Sequence, residues 1–571
     1  MGKDIIVNCG RRETRAAFLE DRRVVEIFIE RAAQQRVVGN IYWGRVENVL
    51  PGMSAAFVNI GLERNAFLYV DDARDYAKLT ENGDSKRKNG KRKSRKSRGI
   101  NDVLKQGQSI IVQVSKEPIG TKGARVVTNL TIPGRYLVLM PTVDHIGVSR
   151  RIQDEKERER LKKITKSLKP QGMGLIVRTL AEGQCEKELE QDVQFLLKVW
   201  EQIQRSSKRT QAPGLLYKDH DLVYRLVRDC FSREFSRFIV DSREEYAKVL
   251  EIADTLSPHL RSRVFYYHDE NIPIFDFYGV EADLKRALKR KVWLDNGGYL
   301  VIDQTEALTS IDVNTGKYTG GKNLADTVLK TNLEAAAEVA RQLRLRDIGG
   351  IIVIDFIDMV SPEQRQKVLA ALEQEVKKDK NKTHVLGFTN LGLVEMTRKK
   401  TRQNIGDFLQ RACPYCDGTG RVLSEETLAF NVEREISRIA REHDVEALMI
   451  EVHPSVAAML IGASGINLRQ LEKMTGKTIY VRGSDDRHWE DVEIVFAGSK
   501  EALGAMAMPV KQGQIIDVEV EEPHLTNPED GISRLHGYVV DIEGAGRHVG
   551  QKLKVEITRV FRTYAKGRML S

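Results

Sequence analysis

The chain has 571 residues, of which 41% are hydrophobic and 30% charged, and it carries a formal net charge of +10. That balance excludes a disordered chain and a fibrous one, and the length suggests about three to five domains. No run of about 18 apolar residues occurs, which excludes a membrane span of the helical kind.

Met1-Gly2-Lys3-Asp4 leads directly into Ile5-Ile6-Val7 with no signal-peptide core, so a cytoplasmic protein is expected. Residues 4 to about 35 read as strands around a charged turn at Glu20-Asp21-Arg22-Arg23. A piece this short must complete a sheet elsewhere. From 36 to 128, short apolar runs are punctuated by Gly39, Gly44, Gly52, Gly61 and Gly107. That pattern fits a small closed β-barrel of the oligonucleotide-binding kind. Phe57 and Phe67 are then either core residues of alternating strands or rings that stack bases. Residues 81–98 hold nine Lys or Arg and two acids, a net of +7, which leaves +3 for the rest of the chain. With no apolar residue, that insertion is expected to be disordered, serving either as a phosphate contact or as a solvated loop.

Residues 129–217 combine strands, such as Tyr136–Met140 and Gly174–Val177, with two charged helices, 154–168 and 185–206. After the second strand come Arg178 and Thr179, a pair that by itself is unremarkable on a surface. Residues 218–286 contain a helix from Leu222 to Phe231 and the strand-like Phe238-Ile239-Val240-Asp241.

The stretch from 287 to 409 is the most informative. Lys291–Leu294 and Gly298–Ile302 predict a hairpin over Asp295-Asn296-Gly297. Leu308-Thr309-Ser310-Ile311 runs into Asp312-Val313-Asn314, and Ile351-Ile352-Val353-Ile354 runs into Asp355. Between them Leu329, Leu333, Ala336, Ala340 and Leu343 mark one helical face, stopped by Gly349-Gly350. Strand, helix, strand predicts neighbouring parallel strands with both carboxylates at their carboxyl ends. Two carboxylates there either cap neighbouring elements or share a hard divalent cation such as Mg²⁺. Ser361, Pro362 and Gln364 predict a capped helix start. Lys317, Lys330, Arg398, Lys399 and Lys400 could line a phosphate path or a solvated face.

Five cysteines are too few and too scattered for a disulfide framework. Cys413-Pro414-Tyr415-Cys416 before a glycine-rich turn is ambiguous between zinc, redox chemistry and neither. A structural zinc needs four ligands, supplied by a second chain or by His443 or His453. Further on, Gly462-Ala463-Ser464-Gly465 between apolar segments predicts a small α/β module. Period-two runs from Ile515 to Ile557 predict terminal strands, with Arg559, Arg562, Lys566 and Arg568 near the end of the segment.

The strings Thr309–Gly316, Asn332–Ala336, Arg341–Asp347 and Gly349–Met359 resemble the ribonuclease E/G family, over most of the chain. The resemblance implies a multidomain α/β and β protein. Its parts would be an RNase H-like domain split between 1–35 and 218–286, an S1-type RNA-binding barrel at 36–128 and a 5′-phosphate sensor at 129–217. A DNase I-like catalytic domain at 287–409 and a zinc link at 410–422 would follow; beyond them, 423–505 resembles a small KH domain and 506–571 is similar to a TRAM domain, a small barrel module that the shorter family members lack. The family resemblance further implies that Asp312 and Asp355 bind catalytic Mg²⁺ and that Asn314 orients the scissile phosphate or the water. Phe57, Phe67 and Lys122 would contact RNA. Arg178, Thr179 and Val138 would form the 5′-monophosphate pocket, with Lys382 where the family has another arginine. Cys413 and Cys416 would bind Zn²⁺ shared between chains, giving a homodimer or homotetramer. The activity implied is endonucleolytic cleavage of single-stranded, AU-rich RNA; the alternatives are a non-catalytic RNA-binding scaffold and a metal-dependent DNase.

Overall fold

The computed structural model describes residues 2–32, 36–73, 99–118, 122–317, 324–506, 509–524, 527–535, 538–561 and 564–570. The basic insertion 81–98 and Arg562 therefore lie outside the described residues. The chain forms two units, Met1–Leu409 and Gln410–Ser571.

In the first unit, the strands Lys3–Cys9, Glu13–Glu20 and Arg23–Arg31 form an antiparallel meander. Lys3–Cys9 also pairs in parallel with Phe235–Val240, which pairs in parallel with Val264–Tyr266. The opening strands thus complete a sheet with residues far along the chain, as their length demanded. Its two faces are both covered: Ile5, Val7 and Phe18 pack to one side with Phe235 and Phe238, and Ile6, Ala17 and Leu19 to the other.

Ile41–Leu50, Ala55–Asn59, Ala66–Tyr69, Arg125–Val127 and Ser109–Lys116 form a closed five-stranded barrel, sealed by pairing of its first and last members. Val46, Ala56, Val58, Leu68, Ile110, Val112 and Val126 fill it. Gly44 lies so close to Val58 that a Cβ there would sit 2.6 Å from its side chain, which explains the glycine. The next sheet, Ile132–Pro133, Leu137–Met140, Ile146–Val148 and Gly174–Val177, packs with the helices Glu155–Leu168 and Glu186–Ser207. The buried carboxylate of Asp192 accepts the backbone N–H groups of Arg135, Tyr136 and Leu137 at 3.1, 2.9 and 2.8 Å.

The sheet of residues 291–398 has the order 291–293, 299–304, 308–314, 350–355, 394–398, 383–388. One face packs under the helices Leu324–Leu345 and Pro362–Val376, through Leu300, Ile311, Ile352, Ile354, Val339 and Leu372 among others. Leu308–Asn314 and Gly350–Asp355 are parallel neighbours, joined by the Leu324–Leu345 helix. The helix ends before Gly349-Gly350, however. Asp347 takes the left-handed conformation at φ 52° and turns the chain, its carboxylate held by Arg398 and Arg402. Ser361 also departs from expectation, since its hydroxyl donates to Glu363 rather than capping a backbone N–H.

In the second unit the strand Ala447–Val452 is flanked by Thr478–Gly483 (parallel) and Val492–Gly498 (antiparallel). The helices Pro454–Ile461 and Ile466–Thr475 meet at the Gly462–Gly465 turn, where both glycines have positive φ. Six strands between Ile515 and Met569 form the terminal sheet around Val518, Val540, Ile542 and Val555. Among the described residues, no helix is long and apolar enough to cross a membrane.

Candidate active site

Alternation along the strands decides what the uncovered face of the 291–398 sheet presents. Ile311, Val313, Ile352 and Ile354 point into the core, so Asp312, Asn314, Val353 and Asp355 point out. Asp312 and Asp355 are register partners on adjacent parallel strands. Both are exposed, and both sit on the same face. With neighbouring strands about 4.8 Å apart, their carboxylates can touch one ion. Asn314 donates its side-chain N–H to Asp312 Oδ2 at 2.8 Å. Burial, then the charges of Asp312 and Asp358, push the Asp355 carboxyl above its ordinary range. Among the described residues, no Lys or Arg forms an ion pair with Asp312 or Asp355.

The loop after Asp355 is fixed from beneath. Asn332, fully buried on the Leu324–Leu345 helix, donates to Ile357 O at 2.8 Å and accepts from Ile357 N at 3.1 Å. This two-way clamp sits between Asp355 and Asp358. Sequence reading assigned it no role; the signal was an amide interrupting an apolar helical stripe.

The uncompensated pair is a chemical fit for a hard cation. No cluster of three or more His, Cys, Asp or Glu exists among the described residues. Two carboxylates with the other positions left to water and phosphate is the arrangement Mg²⁺ accepts. In the metal-free protein, Asp355 is expected to take up its proton above the ordinary value of about 3.9, so its ionised form destabilises the fold as pH rises through that raised value. Asp312→Asn removes one neighbouring charge and should bring the proton uptake down. Carbon-detected NMR titration of the carboxyl checks this, and an unchanged Asp355 curve in the variant refutes it.

Of the basic residues proposed to line a phosphate path, Lys317, Lys330, Lys399 and Lys400 are exposed. Arg398 is not available for that role. Its side chain is 3% exposed and donates to Asp347 at 2.7 Å and to Asp379 at 2.6 Å.

Arg178 follows the strand Gly174–Val177, and its Nη1 donates to Asp229 at 2.7 Å and to Gly134 O. Burial opposes ionisation of Asp229, yet Arg228 and Arg178 hold its carboxyl below the usual range. The Thr179 hydroxyl lies 3.0 Å from that of Ser149. Val138 is the register partner of Ile176, two residues before Arg178. The three residues thus lie near one end of the two central strands of that sheet.

On the barrel, Phe57 and Phe67 are cross-strand partners with ring centroids 5.9 Å apart. Their neighbours Ala56, Val58 and Leu68 fill the interior, so the rings lie outside it, half-buried. Lys122 is exposed, beside Gly123, where a Cβ would collide with Asn65 O at 2.1 Å.

In the second unit, Cys416 Sγ accepts Gly420 N–H at 3.2 Å. That bond, against a small burial effect and with help from Gly418 N–H, holds the Cys416 thiol below its ordinary value. His453 accepts from Ser455 N at 3.4 Å and packs on the Trp489 ring. Arg559 and Arg568 on the terminal sheet are exposed, while Lys566 lies 3.7 Å from Asp541.

Three domain models match the sequence. The Ribonuclease E/G family model covers residues 131–401 and the TRAM domain model 509–570. A third, described as the RNase E/G, Thioredoxin-like domain, covers 412–497, the segment whose glycine turn suggested a KH-like module. Ribonuclease G of Salmonella typhimurium is 43% identical over 495 residues, 87% of this chain and 100% of the relative. Ribonuclease G of Escherichia coli K12 is 44% identical with the same coverage. Ribonuclease E of a Nostoc species is 41% identical over 426 residues, 74% of this chain and 59% of the relative. With identity at this level running the full length of two relatives, the chain belongs to the ribonuclease E/G family.

Proposed function

We propose that this chain is a Mg²⁺-dependent endoribonuclease that cuts single-stranded, AU-rich RNA to leave 5′-phosphate and 3′-hydroxyl ends. The observation that carries the reading is the register pairing of Asp312 with Asp355 on one open sheet face. When bound, the ion supplies an activated water and neutralises charge on the scissile phosphate. Asp312 and Asp355 would hold it, and the Asn332 clamp would keep the Asp355 loop from moving. Asn314 donates one side-chain N–H to Asp312, and its second N–H, without a partner among the described residues, would reach a phosphate oxygen. The relatives covered end to end are named ribonucleases, which supports cleavage over a purely RNA-binding scaffold. The work assigned is messenger RNA decay and processing of ribosomal and transfer RNA. Matched RNA and DNA oligonucleotides, incubated with Mg²⁺ or with EDTA, test it: cutting of RNA alone, and only with Mg²⁺, is the expected result. Cleavage of DNA at an equal rate overturns it.

The Phe57 and Phe67 rings, on the outer surface of the barrel with Lys122, would stack bases of the strand. The TRAM domain would add a further grip. At the other contact, Arg178, Thr179 and Val138 would bind a 5′-monophosphate and stimulate cleavage. Faster cutting of 5′-monophosphorylated than of 5′-hydroxyl RNA is expected, with the difference lost in Arg178→Ala. Equal rates in the unaltered chain remove the pocket.

Cys413 and Cys416 would bind half of a Zn²⁺ site. A thiol held low by peptide N–H groups is suited to a metal, and two thiols fall short of the four ligands a closed site needs. A second chain would supply the rest, giving a homodimer that could pair again into a tetramer. Zinc content near one half per chain is expected; one per chain overturns the shared site.

A further inference from the structure

The open face that carries the carboxylates continues, across the next two strands, into an aromatic pair. Trp293 is the register partner of Tyr299, and Tyr299 of Asn314, so the three side chains form one row across the sheet. The two rings meet edge to face with centroids 5.3 Å apart. Lys291, in the row that continues through Val301 to Asp312 and Asp355, places its ammonium 3.5 Å from the Tyr299 centroid and 4.2 Å from that of Trp293. Trp293 is 56% exposed. The packing of its strand against the core runs through Val292 and Leu294, which face the other way, so this indole is no part of the core.

We propose that Trp293, buttressed by Tyr299 and Lys291, is a base-stacking subsite for the nucleotide next to, or next but one to, the scissile phosphate. The inference rests on the reading of Asp312 and Asp355 as the cleavage site. From the spacing of strands, Trp293 stands about 10 Å from Asn314, within reach of a neighbouring base. A ring grips any base by its π-face, and the lysine ammonium attracts the adjoining phosphate. The subsite also discriminates. A base can stack on Trp293 only if it has left its own helix, so a paired strand is refused without any hydrogen-bond readout. Preference for single strands then arises beside the reacting bond, in addition to any contribution from the barrel.

The test uses the full chain with Mg²⁺ and a single-stranded RNA oligonucleotide that has one mapped cleavage site. A companion set carries one abasic nucleotide at each position flanking that site. Trp293→Ala should lower kcat/KM on the intact strand about tenfold or more, the scale of one lost stack, with Trp293→Phe keeping most of the activity. One abasic position should lower the unaltered enzyme by a similar factor and leave Trp293→Ala no slower. The proposal is overturned if Trp293→Ala cuts the intact strand at the unaltered rate. It is equally overturned if every abasic substitution costs the variant what it costs the unaltered enzyme. Asp312→Asn, run alongside, separates the two readings. If it still cuts, the cleavage site is misplaced; if it is inactive while Trp293→Ala is unaffected, only the stacking subsite fails.

Discussion

Asp312→Asn is expected to reduce RNA cleavage in Mg²⁺ by more than about 100-fold, and Asp355→Asn by as much. The substitution preserves side-chain shape and removes one charge, so it tests the electrostatic role alone. Residues that only support a metal ligand cost about 10–100-fold when altered, and a direct ligand should exceed that range. At ordinary Mg²⁺ both variants lose the same bound ion, so under that condition the double variant should be no slower than either single one. Losses that multiply would show instead that the carboxylates act independently. Excess Mg²⁺ should recover part of the activity of a single variant, because the partner carboxylate remains. Cleavage by Asp312→Asn at the unaltered rate sinks the assignment.

Arg398→Met is expected to give the largest loss of stability. The guanidinium is buried, and burial by itself disfavours its charge; hydrogen bonds and attraction from Asp379 and Asp347 more than offset this. Both partner carboxylates are nearly inaccessible, at 5% and 6% exposure. Arg402 would still reach Asp347, whereas no other Lys or Arg among the described residues pairs with Asp379. Breaking a buried pair from one side costs about 3–5 kcal/mol. The damage falls at the turn that joins the Leu324–Leu345 helix to the strand ending in Asp355, so cleavage should weaken together with stability. Urea unfolding of the full chain reads the loss as a lower midpoint. Arg398→Lys should recover only part, since a single ammonium cannot reproduce a two-sided fork. An unchanged midpoint in Arg398→Met refutes the assignment.

The carboxylate pair was legible because its signals are local. Two apolar runs, each ending in Asp and separated by a 3.6-period helix, permit few topologies, and the parallel register follows from right-handed connection. The barrel was legible for a similar reason, its glycines marking strand ends and close approaches. What lay hidden was set by contacts distant in sequence. Arg398 looked like one more surface cation in a basic run, and only the fold brings Asp347 and Asp379 around it. Gly349-Gly350 looked like the helix stop, but the chain turns first at Asp347, whose side chain is held by Arg398 at the end of another strand and by Arg402 just beyond it. Phe57 and Phe67 could not be allotted to the inside or the outside of the barrel from sequence, since a closed sheet reads the same with either phase. The structure places them outside. The Trp293 row likewise needed strand order, because a hairpin alone does not say which strand lies beside it.

The sheet that opens the chain has a temporal consequence. Asp4 and its partner Arg237 are 233 positions apart, yet their strands are adjacent near the middle of that sheet. At a synthesis rate of about 5–20 residues per second, the opening meander waits roughly 10–50 s for its neighbour to emerge. Throughout that interval Lys3–Cys9 presents a bare, strongly apolar flank to the crowded surroundings of the ribosome. The interrupting domains have time to mature first, leaving the discontinuous one to be closed last. Nascent chains halted before residue 235 are therefore the stage at which self-association, or capture by a holdase, should peak.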